Sequence, residues 1–403
     1  AMRGDSCAIL GKGRRDSPYG GTPPTHAASG PAEMVPMVRG RIPGQRGGML
    51  RYNYVIMGVN HRNGGMISKP FHMTETTHFP AEKSFFINET GRDQPLKNYI
   101  PAEILEIAEV GGQRAIPRIA KDLSLMKELE AISGNLPTQH RFINADSRSL
   151  MFLPDESVHL IVTSPPYWTL KKYPERDEQL GQIEDYELFL EELDKVWRHV
   201  YRVLVPGGRL VIVVGDVCLP RREAGRHVVM PLHASIQEHC RKIGFDNLAP
   251  IIWYKIANAC FEANSRGSFL GKPYEPNGIV KNDIEYILFQ RKAGGYRKPS
   301  LEARLLSVIS EENQKAWFRQ IWDLKGASTK EHPAPYPLEL AERLVRMFSF
   351  VGDTVLDPFG GTGTTSLAAA RWGRNSISIE VEEKYFLMEV ERFNRQAKQS
   401  RLF

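Results

Sequence analysis

Residues 354–380 constrain the fold of this chain more than any other stretch. Thr354-Val355-Leu356 reads as a short buried strand and runs into Asp357-Pro358-Phe359-Gly360-Gly361-Thr362-Gly363-Thr364-Thr365. A helix through Ala370 follows, and the next strand, from Ser376 to Ile379, ends at Glu380. Strand, glycine turn, helix, strand and terminal acid predict one β-α-β half of a doubly wound, Rossmann-like α/β sheet.

Glycines at 360, 361 and 363 let the backbone pass close to a ligand, because no Cβ stands in the way and positive φ is allowed. Glu380 lies about twenty residues past the turn, where a carboxylate accepts both hydroxyls of a ribose. A phosphate-cradling loop is disfavoured, since that geometry needs a Gly-Lys-Ser/Thr run and no lysine follows these glycines. The full dinucleotide fingerprint is absent too. An adenosine-bearing ligand without phosphate fits better, and Asp357 entering the turn suits a cationic group. S-adenosylmethionine meets both conditions.

The second constraint is Leu160-Ile161-Val162-Thr163-Ser164-Pro165-Pro166-Tyr167-Trp168. Leu160 to Val162 predict a buried strand. Two adjacent prolines then remove two amide donors and forbid helix, so the chain beyond Ser164 is extended and rigid. A hydroxyl, a free backbone carbonyl and a flat aromatic face are thereby held within a few residues of one another, a set suited to gripping a planar, amino-bearing ring.

Length and composition add limits. The 403 residues, 41% of them apolar, suffice for one large α/β domain with insertions. No apolar run approaches the ~18 residues of a membrane span and no secretory start is evident, so a soluble, cytoplasmic protein without membrane contact is expected. Cys7, Cys218, Cys240 and Cys260 have no metal-ligand spacing, which predicts neither a disulfide framework nor a metal site. The net charge of +6 comes from residues 1–65, where nine basic residues face three acids; residues 66–403 carry 44 of each sign. Charge therefore says nothing about nucleic acid for the body of the chain.

Along the chain, residues 1–65 are basic, rich in Gly and Pro and without apolar periodicity, which predicts a disordered or non-native segment. Residues 66–140 are expected to form a helical extension. Its first helix opens at Pro101 and breaks at Gly111-Gly112, and its second carries Ile119, Leu123, Met126, Leu129 and Ile132. Residues 141–255 hold a strand ending at Ala145-Asp146, the strand into Ser164, and a helix over Gly181–Leu204 closed by Pro206-Gly207-Gly208. The buried strand Leu210–Val214, a helix over His227–Ile243 and a strand into Trp253-Tyr254-Lys255 complete that half. Residues 256–330 contain two candidate target-recognition insertions, 256–282 and 291–330, around a returning strand Glu285–Phe289, since function-bearing insertions sit on loops held by a rigid sheet. Residues 331–403 form the cofactor-binding half, beginning with His332-Pro333-Ala334-Pro335-Tyr336-Pro337 and ending in a helix to about Lys398.

Thr163-Ser164-Pro165-Pro166-Tyr167-Trp168, followed much later by Asp357-Pro358-Phe359-Gly360-Gly361-Thr362-Gly363, resembles the β class of DNA amino-methyltransferases, in which the catalytic block precedes the cofactor block. The resemblance extends from about Arg141 to Asn394. It implies S-adenosylmethionine as cofactor, double-stranded DNA as substrate, a homodimer and a cognate restriction endonuclease. It also implies catalytic roles for Ser164, Pro165, Pro166 and Tyr167. Cofactor contacts are implied for Asp146, His332, Pro335, Asp357, Phe359, Gly360, Gly361, Gly363, Thr364 and Glu380, and base or DNA contacts for Trp168, Lys171, Lys172, Trp253, Tyr254 and Lys255.

The chemistry is consistent with these residue types. Ser164 and the Pro165 carbonyl can accept the two hydrogens of an exocyclic amino group, and Tyr167 can stack on a base rotated out of the duplex. No cysteine lies in the catalytic stretch, which argues for direct transfer over a covalent enzyme–base intermediate. In this family a serine at the first motif position usually accompanies cytosine N4, and adenine N6 is the alternative. An RNA or protein-glutamine methyltransferase of the same fold, or a non-catalytic DNA-binding regulator, is the competing reading.

Overall fold

The computed structural model describes residues 52–54, 73–75, 83–88, 94–168, 179–219, 221–255, 283–327 and 335–399. Thirteen strands lie within them: β1 Tyr52–Tyr54, β2 Met73–Glu75, β3 Lys83–Asn88, β4 Gln139–Asn144, β5 Val158–Thr163, β6 Leu204–Val214, β7 Val217–Leu219, β8 Val228–Met230, β9 Phe245–Tyr254, β10 Ile284–Lys292, β11 Ile321–Asp323, β12 Thr354–Asp357 and β13 Asn375–Glu380. The helices are α1 Ala102–Gly111, α2 Ala115–Lys121, α3 Leu123–Asn135, α4 Tyr186–Val203, α5 Arg221–Ala224, α6 Leu232–Ile243, α7 Leu301–Leu305, α8 Glu311–Trp317, α9 Leu338–Phe348, α10 Thr364–Arg371 and α11 Glu383–Gln399.

Eleven of the strands form one sheet in the order β1-β2-β3-β4-β13-β12-β5-β6-β10-β9-β11. Its centre, β4, β13, β12, β5 and β6, is parallel, and β10 runs antiparallel to both β6 and β9. Strands this apolar require cover on both faces. Leu160 and Val162 of β5, Val211 and Val213 of β6 and Val355 of β12 face α9 and α10. Ile161, Leu210, Ile212 and Leu356 point the other way, onto α4 and α6. The doubly wound architecture is as the sequence predicts.

Local departures have local causes. The 66–140 stretch is not wholly helical: β2 and β3 extend the sheet beyond β4, whose edge would otherwise expose its hydrogen-bonding groups. The helix expected through Leu123 is two helices, because Asp122 accepts the amides of Ser124 and Leu125 at 2.9 and 3.1 Å and restarts the coil there. Leu123 is consequently 73% exposed while Met126 and Leu129 are buried. The α4 helix begins only at Tyr186, capped by Asp185 on Leu188 N at 2.8 Å. It ends at Val203, before the Pro-Gly-Gly run, which lies inside β6 where the register against β5 shifts. Val228–Met230 is a strand paired with β7, so α6 starts after Pro231.

Within 291–327 lie the short helices α7 and α8 and the strand β11, and part of this stretch is buried. Trp317, Trp322 and Leu324 are buried against the sheet, and Leu305 and Leu306 against α1–α3. The 256–282 excursion, His332, Lys171 and Lys172 lie outside the described residues. Among the described residues no helix is long and apolar enough to cross a membrane.

Candidate active site

Strands β5 and β12 are parallel neighbours, yet β5 leads to β6 on one side and β12 to β13 on the other. A crevice opens outside the carboxyl ends of strands where the connections diverge in this way. Both motifs sit at that point. Thr163, the last residue of β5, donates its hydroxyl to Asp357 Oδ1 at 2.7 Å, joining positions 194 residues apart.

Asp357 is 1% exposed and organises the crevice floor. Its Oδ1 also accepts Phe359 N–H at 3.0 Å, and its Oδ2 accepts the Tyr336 hydroxyl at 3.1 Å. Burial pushes the Asp357 carboxyl up from its ordinary value, and the Thr163 hydroxyl and Phe359 amide pull against it. Burial, reinforced by the Asp357 charge, pushes the Tyr336 hydroxyl well up. Thr365 touches Tyr336 and donates to Val162 O at 3.0 Å. Replacing Thr163 by valine keeps the shape and removes one of the two bonds to Asp357 Oδ1, leaving Phe359 N–H alone on that buried oxygen. The expected cost is about 1–3 kcal/mol of stability, measurable by denaturant unfolding; unchanged stability would mean that the bond does not hold the two motifs together.

The glycine turn is pinned from beneath. Gly360 N–H bonds Ile379 O at 2.8 Å, and Gly363, in the left-handed region at φ 77°, starts α10. Gly361, also left-handed at φ 55°, donates its N–H to Glu380 Oε2 at 2.8 Å, and Glu382 N–H reaches Glu380 Oε1 at 2.9 Å. Burial raises the Glu380 carboxyl to about 7 against the pull of these two amides. Arg392 of α11 donates to Thr362 O, Thr362 Oγ1 and Thr364 Oγ1 at 2.9, 3.0 and 3.1 Å, clamping the turn to the last helix. Asn144 holds Glu380 O at 2.8 Å, and Ser147 bonds Pro358 O.

On the other side of the crevice, Ser164 Oγ lies 3.4 Å from the Tyr167 hydroxyl, which donates to Glu285 Oε2 at 3.2 Å. Glu285 in turn accepts Lys255 Nζ at 2.6 Å. Pro165 is buried and Pro166 half-buried between Ser164 and Tyr167.

Several of the residues expected to make contacts have partners within the chain. Asp146 lies two residues past the end of β4 and accepts Arg148 N and Nε, both at 2.8 Å, closing its own turn. Phe359 packs edge-on to Trp197 with ring centroids 6.2 Å apart. Trp168 is buried edge-on to Tyr186, and Trp253 is fully buried with its indole N–H on Leu324 O at 2.8 Å; Tyr167 too is buried, at 5% exposure. Tyr254 is 36% exposed at the end of β9, because neighbours on a strand face opposite ways. Lys255 is tied to Glu285. Pro335 is half-buried; its neighbour Tyr336 is the residue of that motif that reaches the site. Asn144, Arg392 and Glu285 are contributors from outside the motifs, and Thr163 and Tyr336 are motif residues to which the sequence assigns no contact.

The comparisons agree with this arrangement. The family model described as DNA methylase, for the N6 and N4 methylases, matches residues 158–391, more than half of the chain. Type II methyltransferase M.MjaI of Methanocaldococcus jannaschii is 38% identical over 282 residues, 62% of this chain and 90% of that protein. DNA adenine methyltransferase YhdJ of Escherichia coli is 27% identical over 254 residues, 60% of this chain and 78% of that protein. Among solved structures, TTHA0409 of Thermus thermophilus, complexed with S-adenosyl-L-methionine, is 55% identical with a TM-score of 0.53, covering 64% of this chain and 93% of that one. The ordered pair of motifs, their meeting at the strand ends and the family match together establish that the chain belongs to the N6/N4 DNA methylase family, the DNA amino-methyltransferases.

Proposed function

We propose that the chain transfers a methyl group from S-adenosylmethionine to an exocyclic amino group of a base in duplex DNA, with cytosine N4 favoured. The observation that carries the proposal is the bond between Thr163 and Asp357, which fixes the Ser164 loop beside the glycine turn. The residues present fit the methyl donor. Gly360 and Gly363 let the turn seat closely against Ser378 and Glu389, Gly361 leaves bare backbone for the donor, Glu380 offers a carboxylate to its ribose, and Asp357 adds negative charge beneath a cationic ligand. When bound, the donor supplies a methyl carbon made electrophilic by a sulfonium.

The target base leaves the stack at a cost of about a few kcal/mol. Tyr167 recovers part of this by stacking on one face, and of the two aromatics expected at the base, Trp253 and Tyr254, the exposed Tyr254 takes the other face. Ser164 Oγ and the Pro165 carbonyl accept the two amino hydrogens and turn the nitrogen lone pair out of conjugation. Pro166 stiffens the loop that holds them. Orientation of this kind is worth roughly 7–11 kcal/mol. Ser164→Ala should lower the single-turnover methylation rate roughly 10- to 100-fold, as loss of one charge-assisted hydrogen bond implies, with cofactor affinity unchanged. An unaltered rate would remove Ser164 from the chemistry.

Serine at the first motif position supports cytosine N4; the E. coli relative named an adenine methyltransferase supports adenine N6. Relatives named Type II methyltransferases bring a cognate restriction endonuclease into the proposal, with a homodimer as the working assembly. Incubating duplex DNA with labelled S-adenosylmethionine and the chain, then identifying the modified nucleoside by mass, tests the reading. N4-methylcytosine is expected, N6-methyladenine moves the assignment to the alternative, and no label in DNA overturns the function.

A further inference from the structure

Methylation of an amino group leaves one proton too many on the nitrogen. The N–C bond forms, the S–C bond breaks with its electron pair staying on sulfur, and the positive charge reappears as a proton that must leave. Neither Ser164 nor the Pro165 carbonyl is a base that can keep it. Asp357 is saturated by Thr163, Phe359 N–H and Tyr336. Asp216, next along the chain after β6, is engaged by His233 N and Nδ1 at 3.2 and 2.6 Å.

We infer that Glu285 receives this proton through Ser164 and Tyr167, a role that rests on the proposed amino-methyl transfer. The hydroxyl order allows it: Ser164 donates to Tyr167, and Tyr167, with Val213 O at 3.4 Å as its other acceptor, reaches Glu285 Oε2 at the shorter 3.2 Å. As the amino proton arrives on Ser164 Oγ, the serine proton passes to Tyr167 Oη and the tyrosine proton to Glu285, with no net change at either hydroxyl. The 3.4 and 3.2 Å separations tighten when substrate closes the site, as catalytic hydrogen bonds do.

Three elements aim the carboxylate. It stands on β10, with Glu285 Cγ 3.3 Å and Tyr167 Cε2 3.4 Å from where a Cβ on Gly215 would be, so a glycine at the exit of β6 leaves the space in which the two side chains meet. Lys255 at the end of β9 holds the other carboxylate oxygen and lies 4.9 Å from the Trp253 ring centroid. The charged and titratable groups facing Glu285 are thus Lys255 and Tyr167, while Asp216 turns to His233. Lys255 is partly exposed, which opens the end of the relay to water.

Glu285 is a positioning and proton-accepting residue that acts through Tyr167, and its test is a pH–rate profile. Single-turnover methylation by the full chain, with S-adenosylmethionine and DNA affinities measured separately, is compared for the unmodified protein, Glu285→Gln, Tyr167→Phe and the double variant. The unmodified protein sets the reference rate and pH profile. Each single variant should lose roughly 10- to 100-fold near neutrality, within the range of general base catalysis, with a changed pH profile and both affinities retained. Because the relay is one unit, the double variant should lose no more than either single one. Tyr167→Phe keeps the ring, so it remains informative should Glu285→Gln fold poorly. Wild-type rates and pH profiles, fully multiplicative losses, or losses confined to affinity would each overturn the inference. No transfer to DNA by the unmodified chain would overturn the proposed function and the inference with it.

Discussion

Gly360→Val should weaken S-adenosylmethionine binding about 100-fold or more, the upper end of overpacking costs of about 1–3 kcal/mol. A Cβ at Gly360 overlaps Ser378 Oγ and lies 3.0 Å from Glu389 Oε2. Neither neighbour can retreat: Ser378 sits inside β13 and Glu389 on the inner face of α11, both with no exposed surface. Burial holds the Glu389 carboxyl well above its ordinary range, so it resists becoming charged as well as moving. The turn must instead rise off the sheet, breaking the 2.8 Å bond from Gly360 N–H to Ile379 O and entering the space kept for the cofactor. Calorimetric titration measures the loss, and circular dichroism checks that the sheet survives. Partial recovery by adding Ser378→Gly would identify the overlap as the cause. Wild-type affinity in Gly360→Val would remove the cofactor from this turn.

What the sequence reveals and what it hides follow from the range of the interactions. The turn, its helix and Glu380 are legible because short-range rules write them: an apolar strand, glycines where the backbone bends and an acid at the next strand end. The meeting of Thr163 with Asp357 is not, since a threonine closing a strand is chemically ordinary and its partner is 194 positions away. Glu285 is hidden for the same reason. It reaches Tyr167 only because β10 returns antiparallel beside β6, in a register that pairs Tyr286 with Val214. Which ring of the Trp253-Tyr254 pair faces outward follows from the two-residue period of a strand, which turns one inward and the next outward. Asp122, inside the helix expected from Ile119 through Leu123, is a cap that divides it, because a short carboxylate competes for backbone amides.

Glu380 should couple cofactor binding to pH, with opposite signs for the empty and the loaded protein. Its carboxyl, raised by burial from an ordinary 4.5 to about 7, is largely protonated at pH 6 and largely ionised at pH 8 in the empty chain. Ribose hydroxyls donate to the ionised form, so affinity should rise with pH through about 7 and be about tenfold weaker at pH 6 than at pH 8. The folded state prefers the protonated acid, so the stability this group contributes is fully present below about 4.5 and is lost as pH climbs to about 7. The loss is on the order of 3 kcal/mol for a shift of this size. Glu380→Ala removes both effects. It should cost cofactor affinity roughly 10²- to 10⁴-fold, the worth of two charge-assisted hydrogen bonds, and flatten the pH dependence of binding. The empty variant should also escape the decline in stability toward alkaline pH. Thermal unfolding and titration between pH 5.5 and 8.5, each with and without cofactor, give the four curves required. Pairing of weak, pH-independent binding with an unchanged alkaline decline in stability would assign the titration to another buried acid, Asp357 or Glu389. Cofactor affinity that falls as pH rises through 7 would rule out the carboxylate as the acceptor of the ribose hydroxyls.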